Sequence, residues 1–545
     1  MSCPAGYSFD SEPRKAPFAA ITETLQPGQR FQFWDYDIMW TEKHLPASRL
    51  EPLRKIGDPL ADNALEVLKV KQGEDAFKAL IAYTSLPVEE QESPAPRLLM
   101  QQLMTVPEWV NWEQVQRGQD VYWRYCLFIS HALLHFSLAG GFSVPKITKV
   151  LNSTGYLSGK NTKERVFETS QFVLDVVHSV DYLQPSTGIA WESIIQVRLL
   201  HASVRARLSK ISRAHSKYYN VEEHGVPINQ EDLLATLFSF SNTMWRVMEY
   251  KLGVHMKTQE REDYLHLWRY IGYMMGVDDV LGASRTPERA DACLESIVLH
   301  LTDPDDESGR MCATLLKNMA PKPIIPVKII VAIGLPDPFK VHMALAEHLL
   351  GPTFWKENGL PRMTTPYRIF KQMILNFMLF DLWLVTKSPW WFRIRSPIIH
   401  KAQMKMIATK IGKRTQFALK EVPQDGGKAF DGQSAGGPVD EAYRAGEKYW
   451  PKMLTAASAA VGVQEAGHEV SFRQEPNRCR PVQGDQRWSQ FEVKHSCDHK
   501  LGITLEELYK GSRNNVTLQR NVICNGCEER HSNTEHSHGV FHLSA

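Results

Sequence analysis

The stretch IIQVRLLHASVRARL, Ile194 to Leu208, decides how this chain folds. Ile194, Val197, His201, Val204 and Leu208 recur at steps of three and four, which places all five on one stripe of an α-helix with His201 as its only polar member. Ser186 and Thr187 stand just ahead as caps for the helix start, and Glu192, Gln196 and Arg207 fall on other faces. A histidine in the middle of an apolar stripe either hydrogen-bonds inside the core or binds something, and the core histidine is the commoner case.

Working outward toward the N-terminus, KERVFETSQFVLDVVH (Lys163 to His178) puts Arg165, Glu168 and Thr169 on one face of a single helical turn, leading into apolar Phe172, Val173 and Val176. Taken alone, this is an Arg165–Glu168 ion pair in a solvated first turn, with Thr169 as filler. The order Arg165, Thr169 and then VRLLHASVR (Val197 to Arg205) resembles the rubber oxygenase (latex clearing protein) family, which includes the fungal endoplasmic-reticulum oxygenase of mycophenolic acid biosynthesis. Further stretches agree in order: GDPLADNAL (Gly57 to Leu65), GGFSVPKITKVLNSTGYL (Gly140 to Leu157), GVPINQEDLLATLFSF (Gly225 to Phe240) and LWRYIGYMMGV (Leu267 to Val277).

That resemblance implies an all-α fold with a globin-like core holding a b-type haem. His201 becomes the proximal iron ligand, and Arg165 and Thr169 the distal polar pair. Glu168 stands where rubber-cleaving members carry a lysine, so it is expected either to pair with Arg165 or to act as a general base. The implied activity is a haem b-dependent oxygenase using O₂ on an apolar, isoprenoid-like carbon-carbon double bond to give carbonyl products. A neutral imidazole on an apolar helix face is the usual way a protein holds haem iron with one coordination position left open. Arg198 and Arg205, three and four residues from His201, are placed to reach haem propionates, although surface helices carry such arginines routinely. The alternative from another class is a non-catalytic helical protein of the same fold that binds an apolar ligand or a membrane surface.

The full 545 residues carry 63 Lys+Arg against 61 Asp+Glu, a net charge of +2 that gives no reason to expect a nucleic-acid partner. The expected partners are a small apolar substrate and O₂, with membrane contact through a peripheral surface; nothing indicates an oligomeric state. Cys3, Cys126, Cys293 and Cys312 are dispersed and do not make a disulfide scaffold. The N-terminus lacks the uninterrupted apolar stretch of a secretory signal, which points to the cytoplasm or the periphery of an intracellular membrane. Four regions are expected: a disordered segment over 1–30, the helical catalytic domain over 31–421, a linker of low order over 422–500, and an incomplete fragment over 501–545.

Within that frame FQFWDYDIMW (Phe31 to Trp40) is read as opening the first helices around the core, with Gly73 ending the helical pattern. SLPVEEQESPAP (Ser85 to Pro96) is a loop, with helix resuming at Arg97. His131 and His135, four apart in VYWRYCLFISHALLHF, have the spacing of a metal pair but no acidic third ligand, so two core histidines are expected. No Glu-x-x-His pair precedes Glu421, which argues against a di-iron carboxylate bundle; the only Gly-x-Ser-x-Gly match, Gly432 to Gly436, lies in a Gly-rich linker. Trp268, Gly272 and Gly276 suit close helix packing, and the prolines of Pro321 to Pro338 interrupt helicity. MILNFMLFDLWLV (Met373 to Val385) is short and polar for a transmembrane span and reads as a buried core helix, with PWWFRIR (Pro389 to Arg395) as a surface loop of membrane-surface composition. GITLEELYKGSRNNVTLQRNVICNGCEER (Gly502 to Arg530) resembles part of a DnaJ-type co-chaperone, but Cys524 and Cys527 are half a zinc ligand set; a gene-model error or rearrangement accounts for it.

Overall fold

The computed structural model describes residues 18–71, 73–153, 162–216, 219–279, 281–321 and 336–411, with two short strands, Asn515–Leu518 and Gly539–His542. The chain falls into two units, Met1–Thr455 and Ala456–Ala545. In the second, the two strands pair antiparallel, Asn515 opposite His542 and Leu518 opposite Gly539. Most of the Pro321 to Pro338 stretch, the Gly-rich linker with Gly432 to Gly436, and Cys524 with Cys527 lie outside the described residues.

Among its described residues the first unit is all-α apart from one hairpin. Its central helix, Ile189–Ala214, packs against Thr162–Val176 and Pro59–Leu68. Ile194, Val204 and Leu208 of the predicted stripe are buried. Ser186 and Thr187 do not cap this helix. Gly188 does, because a Cβ there would lie 2.7 Å from the Gln184 carbonyl oxygen, so only glycine fits the start. The long run from Trp112 packs along Thr258–Met274, and Gly118 brings the two backbones together: a Cβ on it would meet Leu267 Cβ at 2.9 Å.

Gly272 serves close packing: a Cβ on it would meet Leu237 Cδ2 of helix Gln230–Phe240 at 2.8 Å. Gly276 does something else. It lies past the helix end with φ +80°, and a Cβ on it would crowd the Asp58 carboxylate and sit 2.8 Å from Arg198 Nε.

FQFWDYDIMW is a β-hairpin rather than helix. Strand β1 (Arg30–Phe33) pairs antiparallel with β2 (Tyr36–Met39), Phe31 opposite Ile38 and Phe33 opposite Tyr36. Phe31, Phe33 and Ile38 point inward at the period of two that a half-buried strand requires. The hairpin's Trp34 packs on Phe354 with ring centroids 4.8 Å apart, and Phe18 on Phe33 at 4.9 Å. Phe18 is 2% exposed within this cluster, so residues N-terminal of Phe31 take part in the packed body. Helix Pro59–Leu68 ends at Lys69, which takes the left-handed conformation, so Gly73 is not its terminator. The Ser85 to Pro96 loop contains a 3₁₀ turn, Val88–Glu90, and helix resumes at Ala95.

Met373 to Val385 lies inside a longer helix, Thr365–Lys387, and only one stripe of it is buried: Leu375, Met378, Leu382 and Val385. Pro389 to Arg395 is not a loop but the first turns of helix Pro389–Ile411. By length and composition alone, Thr365–Lys387 can cross a membrane, and so can the bent pair 112–141 with 145–153.

Candidate functional site

Helices Ile189–Ala214 and Thr162–Val176 together border a cavity of about 760 Å³, in the range of small-molecule and cofactor sites. Its wall is mainly apolar, with Trp268, Phe240, Leu237, Ile271, Val197 and Leu200 contributing. Into this wall the fold brings His201, Arg165, Glu168 and Thr169.

His201 lines the cavity, and its Nδ1 is buried with no hydrogen-bond partner, whereas Nε2 is not among the buried unpartnered atoms. Burial depresses its pKa to about 4; the Arg205 cation adds to the effect and Asp58 opposes it. The imidazole is therefore neutral at neutral pH, with a lone pair available to a metal. Among the described residues no three His, Cys, Asp or Glu side chains come together as a metal site. A metal held here would have to bring most of its ligands with it, as a porphyrin-bound iron does, with His201 as the protein's single contribution.

Arg165 Nη1 donates to Glu168 Oε2 at 3.3 Å, and Thr169 Oγ1 donates to the Arg165 carbonyl at 3.1 Å. The pair predicted from spacing forms, but not in a solvated turn: the side chains are 16% and 8% exposed. Water therefore screens this pair far less than it would a surface pair.

Arg198 and Arg205 are not on the cavity wall, and the propionate expectation is corrected. Arg198 donates to both Asp58 oxygens, Nε at 2.7 Å and Nη2 at 3.0 Å, while its Nη1 donates to Gln102 Oε1 at 2.8 Å and the Met274 carbonyl at 3.0 Å. Arg205 Nε donates to Asp62 at 2.7 Å and its Nη1 to the Ile228 carbonyl at 3.3 Å. Both guanidinium groups face Pro59–Leu68, whose N-cap is Asp58 itself.

His131 and His135 are core histidines as expected, and also stay off the cavity wall. A third ring joins them: His135 Nε2 lies 2.8 Å from His342 Nδ1, and the His131 and His135 rings stack at 5.2 Å. Burial lowers the pKa of all three, His131 to about 4.

Sequence reasoning missed two features of the wall. Arg246 and Glu295 form an ion pair that borders the cavity, backed by His44 Nε2 at 2.7 Å from Glu295 Oε2. They come from helices Asn242–Leu252 and Pro287–Leu301, and no local spacing links them. The second is a π-helical turn, Leu133–Leu138, that directs Leu133, Leu134, Phe136 and Ser137 at the cavity; such turns recur at functional sites, but no composition rule reveals them.

Residues 90–378 match the family described as ER-bound oxygenase mpaB/B'/Rubber oxygenase, catalytic domain. A rubber oxygenase from Streptomyces sp. (strain K30) is 27% identical over 184 residues, covering 34% of this chain and 43% of that protein, so the alignment spans less than half of the relative's length. The solved structure of latex clearing protein in its closed state aligns with a TM-score of 0.48 at 20% identity, over 68% of this chain and 95% of the other.

Proposed function

Because the chain belongs to the ER-bound oxygenase mpaB/B' and rubber oxygenase catalytic-domain family, we propose that it is a haem b-dependent oxygenase acting with O₂ on an apolar, isoprenoid-like double bond. One observation carries this: a single largely apolar cavity receives His201 together with Arg165, Glu168 and Thr169. Haem iron, when bound, supplies the one-electron and O₂ chemistry that side chains lack. His201 would hold it through its imidazole, which lines the cavity.

The remaining contributions belong to the chain. Arg165 offers guanidinium donors whose position is fixed by Glu168, so they are already oriented when negative charge develops beside them. Thr169 has its hydroxyl hydrogen engaged by the Arg165 carbonyl and presents an oxygen that accepts. The Glu168 carboxylate is within the same wall and can either hold Arg165 or take a proton from substrate. Trp268, Phe240 and Ile271 bind hydrocarbon and keep water out. Cleaving a C=C bond to two carbonyls consumes both atoms of O₂ and needs no outside reductant.

The test is the absorption spectrum of the purified full chain supplied with haemin. A Soret band should appear, and His201→Ala should abolish it while far-UV circular dichroism stays unchanged. Haem retained at the wild-type level in His201→Ala would overturn the ligand assignment, and no haem uptake by the wild-type protein would overturn the proposed chemistry.

A further inference from the structure

Helix Thr365–Lys387 is apolar on two sides. Its inner stripe, Leu375, Met378 and Leu382, packs into the core. Its outer stripe is Ile369, Met373, Phe377, Phe380 and Trp383, spaced by fours and threes along one face and each 55% or more exposed. The next helix, Pro389–Ile411, has an exposed apolar stripe of its own at steps of four, Trp390 at 68%, Ile394 at 38% and Ile398 at 62%. Single exposed apolar residues are ordinary, but eight in two consecutive helices that pack against each other, four of them aromatic, are more than a free surface accounts for.

Charge identifies the partner. Residues 365–411 contain the basic side chains Arg368, Lys371, Lys387, Arg393, Arg395, Lys401, Lys405 and Lys410 against one acidic residue, Asp381, in a chain otherwise close to neutral. Asp381 is taken by Arg395, with Nε donating at 3.0 Å. Lys387, Arg393, Lys401 and Lys405 are exposed. An apolar face with Trp at its edge and cations beside it is the composition of a segment that lies in the headgroup region of an anionic bilayer. We propose that this helix pair docks the protein on an anionic phospholipid surface, its outer stripe buried at the headgroup boundary and its inner stripe remaining in the protein core.

The same second helix reaches the cavity. Gln403, Met406 and Ile407 form part of the cavity wall, and Met406 is 47% exposed, so it belongs both to the surface and to the wall. Docking would set the edge of the cavity against the bilayer and let a lipid-soluble substrate enter without crossing water. That consequence rests on the oxygenase reading above, whereas docking itself rests on exposure and charge.

Co-sedimentation of the full chain with vesicles separates the two, because it measures neither haem nor turnover. Binding is expected to phosphatidylcholine vesicles containing phosphatidylserine and to be much weaker without it. The exposed double variant Phe377→Ser with Trp390→Ser should lose binding with its melting temperature and circular dichroism unchanged, and Arg393→Glu with Lys401→Glu should lose the preference for phosphatidylserine. Absence of vesicle binding, or binding that survives both double variants, would overturn the proposal. So would a wild-type dimer that ignores vesicles and falls to a monomer in Phe377→Ser with Trp390→Ser, which would give the face to a second copy of the chain.

Discussion

Two neighbouring stripes of helix Ile189–Ala214 bury polar groups in opposite ways. At 100° per residue, Arg198 and Arg205 lie only about 40–60° around the helix from His201. The arginine stripe is mostly paired: carboxylates and carbonyls from Pro59–Leu68 and its surroundings take every nitrogen of Arg198, and Nε and Nη1 of Arg205. Arg205 Nη2 is buried without a hydrogen bond, 3.9 Å from Asp58. The histidine stripe is open: His201 lines the cavity, and its Nδ1 is buried without a hydrogen-bond partner. A buried charge paired with carboxylates and carbonyls locks two helices together, while a neutral ring on a cavity wall stays available to a ligand.

Breaking the paired stripe should have the largest effect on stability. Arg198→Ala leaves Asp58 buried without its bidentate partner, and a loss on the order of 3–5 kcal/mol is expected in urea unfolding. A loss under about 1 kcal/mol would mean that the two stripes do not differ as described.

The histidine ladder sharpens the comparison, because its members are partnered yet uncharged. His131 has its folded pKa lowered to about 4 from 6.5, so the unfolded chain takes up the proton more readily. Its contribution is intact above about pH 6.5 and is lost as pH falls toward about 4. Asp232, raised to about 6 by burial, has the opposite sign: its penalty is relieved over much of the same window. The useful measurement is therefore a difference. The stability advantage of wild type over His131→Gln should shrink by roughly 2 kcal/mol between about pH 7.5 and about pH 5, at ~1.4 kcal/mol per unit. An advantage independent of pH would show that His131 is not held neutral.

Gly276→Ala should cost the least, about 1–2 kcal/mol, from a left-handed φ and from crowding against the Arg198–Asp58 pair. If the crowding is real, its effect in an Arg198→Ala background is smaller than in wild type. Equal costs in both backgrounds would leave backbone strain as the whole explanation.

These differences also explain what the sequence made legible. The stripe carrying His201 and the turn shared by Arg165, Glu168 and Thr169 follow from spacing within one helix each, but spacing alone read them as a core histidine and a solvated ion pair; that they meet at one cavity was implied only by the resemblance. The fate of Arg198 and Arg205 depends on Asp58 and Asp62, more than a hundred residues away, and helical periodicity is silent about such pairs. The signal that could have found them lies in GDPLADNAL, where Asp58 and Asp62 stand one turn apart at a helix start, the placement that buried arginines on a partner helix require. The hairpin escapes a helical reading for a local reason. Phe31, Phe33 and Ile38 alternate inward, but the aromatic run hides the period of two, and the turn places Trp34 at φ +48°, uncommon for a non-glycine residue.

The π turn at Leu133–Leu138 has a consequence of another kind, in the language of insertions and deletions. It holds one more residue per turn than the α-helix on either side, so the chain beyond it is out of phase with a straight helix. Removing a single codon there would restore the regular pitch and rotate all that follows by about 100°. Gly140 would swing away from Leu350, and Phe142, 1% exposed, would leave its aromatic cluster. One surplus residue therefore sets the phase between the first half of that long helix and the wall of the cavity beside it.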